Sequence, residues 1–207
     1  MVTASGAQAQ EVYGGVGILG VQLGYAHAIN PSFTVRGDYM TAGSKEKTQV
    51  ESGTTFNAKV GFSRVAIVGD WFPSAKSGFR VTGGLTSNNM GVELKTFGSG
   101  TVDIDGTSYA LSPADSFAVK VKLPSTAPYL GIGYGHQKGD KGLGFHADFG
   151  AILSGFKVSE VRTGALANGG SAGVTQAQVD RELVSIKDSV GKLKMFPQLT
   201  FGVSYRF

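Results

Sequence analysis

The chain of 207 residues contains no cysteine, which excludes disulfide bonds, thiolate metal sites and a cysteine nucleophile. It also lacks long hydrophobic runs, because none approaches the ~18–20 apolar residues that a membrane helix needs. Charged residues are scarce at 16%, and the net charge of +4 is spread along the chain without a block of lysines and arginines. We therefore expect no nucleic-acid partner.

Apolar and polar residues alternate along much of the chain. Hydrophobic residues make up 41% of the chain, yet the mean hydropathy is only +0.02. Such a balance is typical of strands with one apolar and one polar face. The chain has 32 glycines, and many lie inside strand-like runs such as 129–135. In a narrow barrel, inward glycines leave room for large side chains of neighbouring strands.

Turn residues and polar segments divide the chain into candidate strands. The strands are predicted at 11–17, 20–28, 33–42, 54–72, 78–97, 117–136, 143–157 and 198–207. Longer polar segments at 43–53, 98–116 and 158–196 are predicted to be loops. Short and long connections therefore alternate, as they do between the periplasmic and external ends of outer-membrane barrels.

The strand count depends on the first segment. A single-chain bacterial barrel needs an even number of strands. A turn at Ile18-Leu19-Gly20 would give eight, although residues 11–28 could also form one long bent strand. Residues 1–10 contain Ala7-Gln8-Ala9, which matches the small residues before a signal-peptidase cut. We interpret 1–10 as a residual signal-peptide or disordered segment, and 11–207 as one barrel domain.

The last strand has the clearest pattern. Leu199, Phe201, Val203, Tyr205 and Phe207 share one face. Thr200, Gly202, Ser204 and Arg206 fall on the other face, which is small and polar. A strand that ends on an outward aromatic residue resembles the terminal signature read by the barrel-assembly machinery. Tyr205 and Phe207 are therefore candidate assembly-signal residues.

The opposite face of the strands carries charge. By parity, a lumen network is predicted from Arg36, Asp38, Lys59, Arg64, Asp70, Arg80, His146, Asp148 and Arg206. Their roughly balanced signs favour a salt-bridged, filled interior, because an unpaired buried charge is very costly. For strand 54–72 this parity requires a phase change, which we assign to a bulge near Ser63-Arg64.

No sequence pattern predicts a cofactor or a metal site. Gly15–Gly20 matches G-x-G-x-x-G, but a strand follows it where a dinucleotide site needs a helix. His146 and Asp148 lie two residues apart on one inward face, which is half of a hydrolase constellation, but no nucleophile aligns with them. The three histidines, His27, His136 and His146, lack metal-ligand spacing.

The last polar segment contains a helix pattern. Thr175 and Gln178 form a capping box, and Val179, Leu183, Ile186, Val190 and Leu193 follow at helical spacing. This predicts an amphipathic helix over 175–194 that packs on the barrel rim or another loop, or else acts as a plug or partner-binding surface. In segment 98–116, Asp105-Gly106 predicts a hairpin turn.

Taken together, these features predict an all-β fold: a closed antiparallel transmembrane barrel of eight strands with one amphipathic helix in the last extracellular loop. The chain resembles the small outer-membrane barrels of Gram-negative bacteria, in the manner of OmpW and OmpA. It is most similar to an uncharacterised proteobacterial set that shares segments like 16–20, 79–85, 127–133 and 202–207. The resemblance implies location in the bacterial outer membrane and contact with its lipid and lipopolysaccharide.

The resemblance supplies no catalytic residues. We expect a non-enzymatic protein with a structural or surface-interaction role, whose partner would bind loops 98–116 and 158–196. Two alternatives stay open: a narrow channel for small or hydrophobic solutes, and a lipid-modifying enzyme such as a hydrolase or acyltransferase.

Overall fold

The computed structural model describes residues 10–74, 76–137, 139 and 141–207. Residues 1–9, which carry most of the predicted signal remnant, lie outside the described residues, and Gln10 already belongs to the first strand. The strands are β1 (Gln10–Gly17), β2 (Gly20–Asn30), β3 (Phe33–Glu51), β4 (Thr54–Trp71), β5 (Phe79–Gly98), β6 (Thr101–Ile104), β7 (Thr107–Ala110), β8 (Ser116–Lys122), β9 (Thr126–Tyr134), β10 (Gly142–Ile152), β11 (Lys157–Thr163) and β12 (Phe196–Arg206). A short 3-10 helix (Gly164–Leu166) and helix α1 (Gln176–Gly191) complete the elements.

Eight antiparallel strands close into a ring in the order β1-β2-β3-β4-β5-β9-β10-β12 and back to β1. The first and last strands pair from Glu11 opposite Arg206 to Gly17 opposite Thr200. The segment 11–28 forms two strands, β1 and β2, separated by a turn at Ile18 and Leu19. The predicted eight-stranded barrel and the split that makes its strand number even are both confirmed.

Side chains alternate across the barrel wall as the period-two pattern predicts. On β3, for example, Thr34, Arg36 and Asp38 are buried, whereas Val35 and Tyr39 are exposed. The outer surface carries large apolar side chains on every ring strand, among them Val16, Leu23, Tyr39, Ile67, Leu85, Leu130, Phe149 and Phe201. The barrel is therefore polar and charged inside and apolar outside.

Three strands continue well beyond the ring. The prediction of a loop over 43–53 is wrong, because β3 runs to Glu51 and pairs with β4 as far as Glu51 opposite Thr54. This end of β3 is exposed and polar, so its composition resembles that of a loop. Pairing with β4, rather than burial of an apolar face, keeps it extended.

The predicted bulge is also misplaced. The ladder between β4 and β5 runs without interruption from Thr54 to Trp71, so β4 keeps its phase through Ser63 and Arg64. The register shift lies on β3 instead, between Thr41 and Gly43. As a result Phe62 shares the inner face with Arg64, and it packs against buried residues there instead of facing outward.

The strand predicted at 117–136 is broken at 123–125 into β8 and β9, where Pro124 cannot donate to the ladder. The strand predicted at 143–157 likewise divides into β10 and β11. After β10, which pairs with β12, the chain turns away from β12, and β11 pairs with β8 instead. The sheet β3-β4-β5-β8-β11 therefore extends past the ring. The predicted loop 158–196 therefore begins with a strand.

A small second core lies on this extension. The predicted hairpin is confirmed: β6 pairs with β7, and Asp105 and Gly106 turn between them with φ of 54° and 74°. Helix α1 is also confirmed, with a complete capping box between Thr175 and Gln178. The buried apolar residues of this second core are Val102, Ile104, Leu111, Phe117, Val119, Leu166, Val174, Val179 and Leu183. We call β6, β7, the 3-10 helix, α1 and the extended sheet beneath them the cap.

Helix α1 packs against the other elements of the cap and does not plug the lumen. Val179 and Leu183 are buried in the cap core with Ile186 beside them, whereas Leu193 lies beyond the end of the helix and is exposed. Among the described residues, no helix has both the length and the hydropathy needed to cross a membrane.

Glycines make space inside the ring, as expected from the sequence. A Cβ added to Gly24 would lie 2.3 Å from the Tyr13 ring, and one on Gly133 would lie 2.6 Å from the Arg80 guanidinium. A Cβ on Gly202 would lie 2.2 Å from the carbonyl oxygen of Gly14 and 2.3 Å from the His146 ring. These glycines therefore let the barrel close around bulky inward side chains.

We predict that Gly202→Ala destabilises the folded barrel by about 2–3 kcal/mol, because the backbone carbonyl at this site cannot move aside without disturbing the ladder. The matched control is Gly83→Ala, since a Cβ on Gly83 would meet nothing within 4 Å. Urea unfolding in detergent, followed through the fluorescence of the single tryptophan, Trp71, measures both. Equal stability of the two variants would contradict this account of glycine packing.

Candidate functional site

The centre of the lumen is a ring of four charged side chains from four strands. Arg36 on β3 donates from Nε to Asp70 Oδ2 at 2.5 Å and from Nη2 to Asp148 Oδ1 at 3.1 Å. Arg80 on β5 donates from Nη2 to the same Asp148 oxygen at 2.6 Å, and its Nε lies 3.2 Å from Asp70 Oδ1. Each carboxylate is therefore shared by two guanidiniums, and all four side chains are buried. We call Arg36, Asp70, Arg80 and Asp148 the ionic ring.

Two further charge groups flank the ionic ring along the barrel. Towards the cap, Arg64 Nη2 donates to Asp38 Oδ1 at 3.0 Å, and both residues are buried. Towards the short turns, Arg206 donates to Glu11 Oε2 at 2.7 Å from Nη2, while Glu11 Oε1 contacts His136 Nδ1. Counted over the described part of the lumen, four arginines face four carboxylates, so the paired interior is close to neutral.

The ionic ring leaves little empty space. The cavity beside it, lined by Arg36, Asp38, Arg64, Tyr129 and Asp148 among others, has a volume of about 10 Å³. That is roughly the space that one water molecule needs. Above it, the described residues form an apolar layer across the cap end of the barrel, which we call the ceiling: Leu19, Met40, Ala66, Val68, Met90, Leu123, Ala127, Tyr129 and Ile152. Polar and apolar side chains thus fill the lumen in two successive layers.

The histidines lie on the short-turn side of the ionic ring. His136 and His146 are buried, with ring centroids 4.6 Å apart, and the Tyr13 ring packs against both at 4.5 and 5.2 Å. One ligand atom from each of His136, His146 and Asp148 lies within 4.8 Å of the other two. These three side chains are the described residues best placed to hold a metal ion.

Of the nine residues predicted for the lumen network, Lys59 is misplaced. It lies on the exposed part of β4 beyond the ring, where it is opposite Glu93 in register. The mistake follows from the misplaced bulge, because parity was reversed for the first half of β4. The structure places the other eight on the inner face, buried or, for Arg206, half-buried. Tyr205 and Phe207 are exposed at the end of the closing strand, and Phe207 N still donates to Gln10 O at 3.0 Å.

Sequence reasoning missed three residues of the site: Glu11, Tyr13 and His136. Glu11 and Tyr13 have the inward parity of β1, and a parity count extended to that short strand would have found them. His136 lies outside any strand, in the connection after β9, with a left-handed φ of 61°. Strand periodicity does not apply there, so no sequence signal places its imidazole in the lumen.

Polar contacts join the elements of the cap to one another. Arg181 on α1 donates to Asp105 Oδ2 from Nε at 2.8 Å and from Nη2 at 2.6 Å, at the tip of the β6–β7 hairpin. Asp115 accepts from the backbone N–H of Ser112 at 2.7 Å and of Ala165 at 2.6 Å. These hydrogen bonds, that from Ser112 first, lower the pKa of the Asp115 carboxyl below its ordinary value. The two long connections therefore form one ordered surface.

The fold and the filled lumen define the class of protein: a small, closed antiparallel β-barrel with a cap on one end. Solved structures that share this fold include two from Acinetobacter baumannii. The crystal structure of Acinetobacter baumannii CarO2 matches with a TM-score of 0.59 and 21% identity over 97% of this chain and 98% of that chain. The crystal structure of Acinetobacter baumannii CarO matches with a TM-score of 0.55 and 18% identity over 96% of this chain and 97% of that chain.

No protein-family model and no curated protein matches the chain. At these identities the similarity to CarO2 and CarO shows the shared fold. The more specific resemblance to OmpW and OmpA stays a prediction.

The Asp38–Arg64 pair allows a test of the buried charges. We predict that Asp38→Asn or Arg64→Met alone destabilises the barrel by about 3 kcal/mol, because each leaves a buried charge without its partner. The double variant should lose clearly less than the sum of the two single losses. Urea unfolding of the wild type, the two single variants and the double variant gives the four free energies of this double-mutant cycle. Strictly additive losses would mean that the two charges do not depend on each other.

Proposed function

We propose that the chain is a bacterial outer-membrane β-barrel with a closed lumen, which acts structurally or through its cap and does not conduct solutes. One observation carries the proposal: the distribution of polarity is the reverse of that in a water-soluble protein. Leu23, Ile67 and Phe145 point outward with 70%, 66% and 79% of their surface exposed, while Arg36 and Arg80 are buried. Such an outer surface is stable in hydrocarbon and unfavourable in water.

Three further points support the proposal. Two solved structures that share the fold are CarO outer-membrane proteins. The outward aromatic pair Tyr205 and Phe207 at the barrel seam fits recognition by the barrel-assembly machinery. The ring of strands has no open edge, which is the arrangement that lets strands cross a bilayer with every backbone group paired.

The closed lumen supports a structural role over a channel. A solute would have to pass the ionic ring, where each carboxylate is bonded to two arginines, and then the ceiling. An enzymatic role has less support. Neither ring nitrogen of His146 has a hydrogen-bond partner among the described residues, so no hydroxyl there is activated by this histidine. The proposal therefore contains no catalytic step.

Planar-bilayer recording tests the closed lumen. We predict that purified, folded protein inserts without producing steady conductance steps of porin size, because the two layers of side chains leave no continuous water path. A porin recorded in the same bilayer is the positive control, and the heat-unfolded protein is the negative control. Steady, solute-dependent conductance from the folded protein would favour the alternative of a narrow channel for small or hydrophobic solutes.

We propose that the cap lies outside the cell and that the short turns face the periplasm, since external connections are the longer ones in such barrels. The cap, which includes parts of 98–116 and 158–196, is then the surface available to an extracellular partner. The apolar outer face of the barrel then contacts the outer-membrane lipid and lipopolysaccharide.

This orientation can be read out in intact cells, because the chain has no cysteine of its own. We predict that Lys187→Cys on α1 reacts with a membrane-impermeant maleimide and that Lys76→Cys in the β4–β5 connection does not. Both cysteines should react after the outer membrane is permeabilised, which shows that each thiol is accessible. Labelling of Lys76→Cys with protection of Lys187→Cys would invert the topology.

A further inference from the structure

His136, His146 and the neighbouring Asp148 carry buried polar atoms that form no hydrogen bond with the rest of the lumen as the structure describes it. His136 Nε2, both ring nitrogens of His146 and Asp148 Oδ2 are buried and have no hydrogen-bond partner among the described residues. Buried polar atoms are nearly always paired, because an unpaired one loses its hydration without compensation. Four such atoms on three neighbouring side chains therefore require an explanation.

The fold brings these side chains together across a hairpin. In the β9–β10 ladder Tyr134 is opposite Ala147, and the next residues carry the chain to His136 on one side and back to His146 on the other. His146 faces Gly202 on β12, and the absence of a side chain there lets the imidazole lie across that strand. Two histidines ten positions apart in sequence thus become neighbours without any ligand spacing in the sequence.

The surrounding contacts leave at least one ligand atom on each of the three side chains without a hydrogen-bond partner in the described lumen. The Nδ1–H of His136 donates to the Glu11 carboxylate. The other ring nitrogen of His136, Nε2, therefore points away from Glu11 and keeps its lone pair for a ligand. Asp148 uses Oδ1 for both Arg36 and Arg80, so its Oδ2 is available. A carboxylate that holds the second nitrogen of a histidine is the usual outer-shell partner of a metal-ligating imidazole.

We propose that His136, His146 and Asp148 form a binding site for a divalent transition-metal ion of the zinc type. Two imidazoles and one carboxylate are a ligand set that zinc-binding proteins use with a fourth, exchangeable position. Ligand atoms around a tetrahedral zinc lie roughly 3.4 Å apart, given bonds of about 2.0–2.1 Å. The three ligand atoms lie within 4.8 Å of one another, so metal binding requires side-chain rotations that shorten these separations.

The surrounding charges influence the metal affinity of the site, and the ligand types determine which metal ions it prefers. Arg36 and Arg80 both face Asp148 and oppose a cation, whereas Glu11 behind His136 favours one. Because the lumen charges are already balanced, an added ion is only partly compensated, and we expect micromolar affinity. Imidazole ligands favour zinc, cobalt or nickel over magnesium and calcium, which prefer oxygen ligands.

Metal titration of the full-length, folded protein tests the site. We expect EDTA-treated wild-type protein in detergent to bind one equivalent of Zn²⁺ by calorimetry and one of Co²⁺ by its visible absorption bands. His136→Gln and His146→Gln should each weaken binding at least tenfold. His27→Gln is the matched control, since His27 lies on the outer face of β2, and it should bind like the wild type.

Folding of each variant is checked by its heat-dependent migration in gel electrophoresis. X-ray absorption of the zinc-loaded wild type needs no variant and should show two imidazoles in the first shell. The proposal is overturned if the folded wild type binds no Zn²⁺ at 100-fold the expected micromolar dissociation constant, or if the spectrum shows no imidazole. Binding that His27→Gln abolishes, or that both lumen variants retain, would likewise overturn it.

Discussion

Everything inside this barrel depends on the narrow space that eight strands enclose. One face of every strand must point into that space, and the interior is only wide enough for side chains. Charges placed there lose most of their hydration, so each needs a partner at hydrogen-bond distance. The ionic ring meets this need by giving each of Asp70 and Asp148 two guanidiniums, from Arg36 on β3 and Arg80 on β5. Three consecutive strands, β3, β4 and β5, are thereby fixed to β10, which is distant in sequence.

The ionic ring is better understood as a constraint on register than as a source of stability. Buried ion pairs often contribute little net free energy, because desolvation offsets their attraction. A shift of one residue in β3, however, would turn Arg36 outward and Val35 and Gly37 inward. The misregistered barrel would expose a charge to the apolar side and leave Asp70 and Asp148 without one of their arginines. Register is therefore fixed jointly by the apolar outer face and the paired inner face.

Period-two alternation explains how much of this could be predicted from the sequence. It places Arg36, Asp70, Arg80 and Asp148 inward, because each lies in a strand whose two faces differ sharply. It fails for Lys59, because the apolar residues of β4 change from even to odd positions after Phe62. The strand itself continues without a bulge there, so the parity assigned to Lys59 was reversed. It fails again for His136, because this residue lies outside the strands and itself has a left-handed backbone conformation. The cap core could not be located either, because it forms between segments that are separate in sequence.

The order of layers along the barrel gives each end a different character. From the short turns inward come Glu11, Arg206 and the two lumen histidines, then the ionic ring, then the ceiling, and finally the cap with its own core. The apolar ceiling lies between the ionic ring and the cap. A macromolecule that binds the cap meets a surface held by its own contacts, such as Arg181 with Asp105. The proposed metal site and the cap surface thus lie on opposite sides of the ceiling.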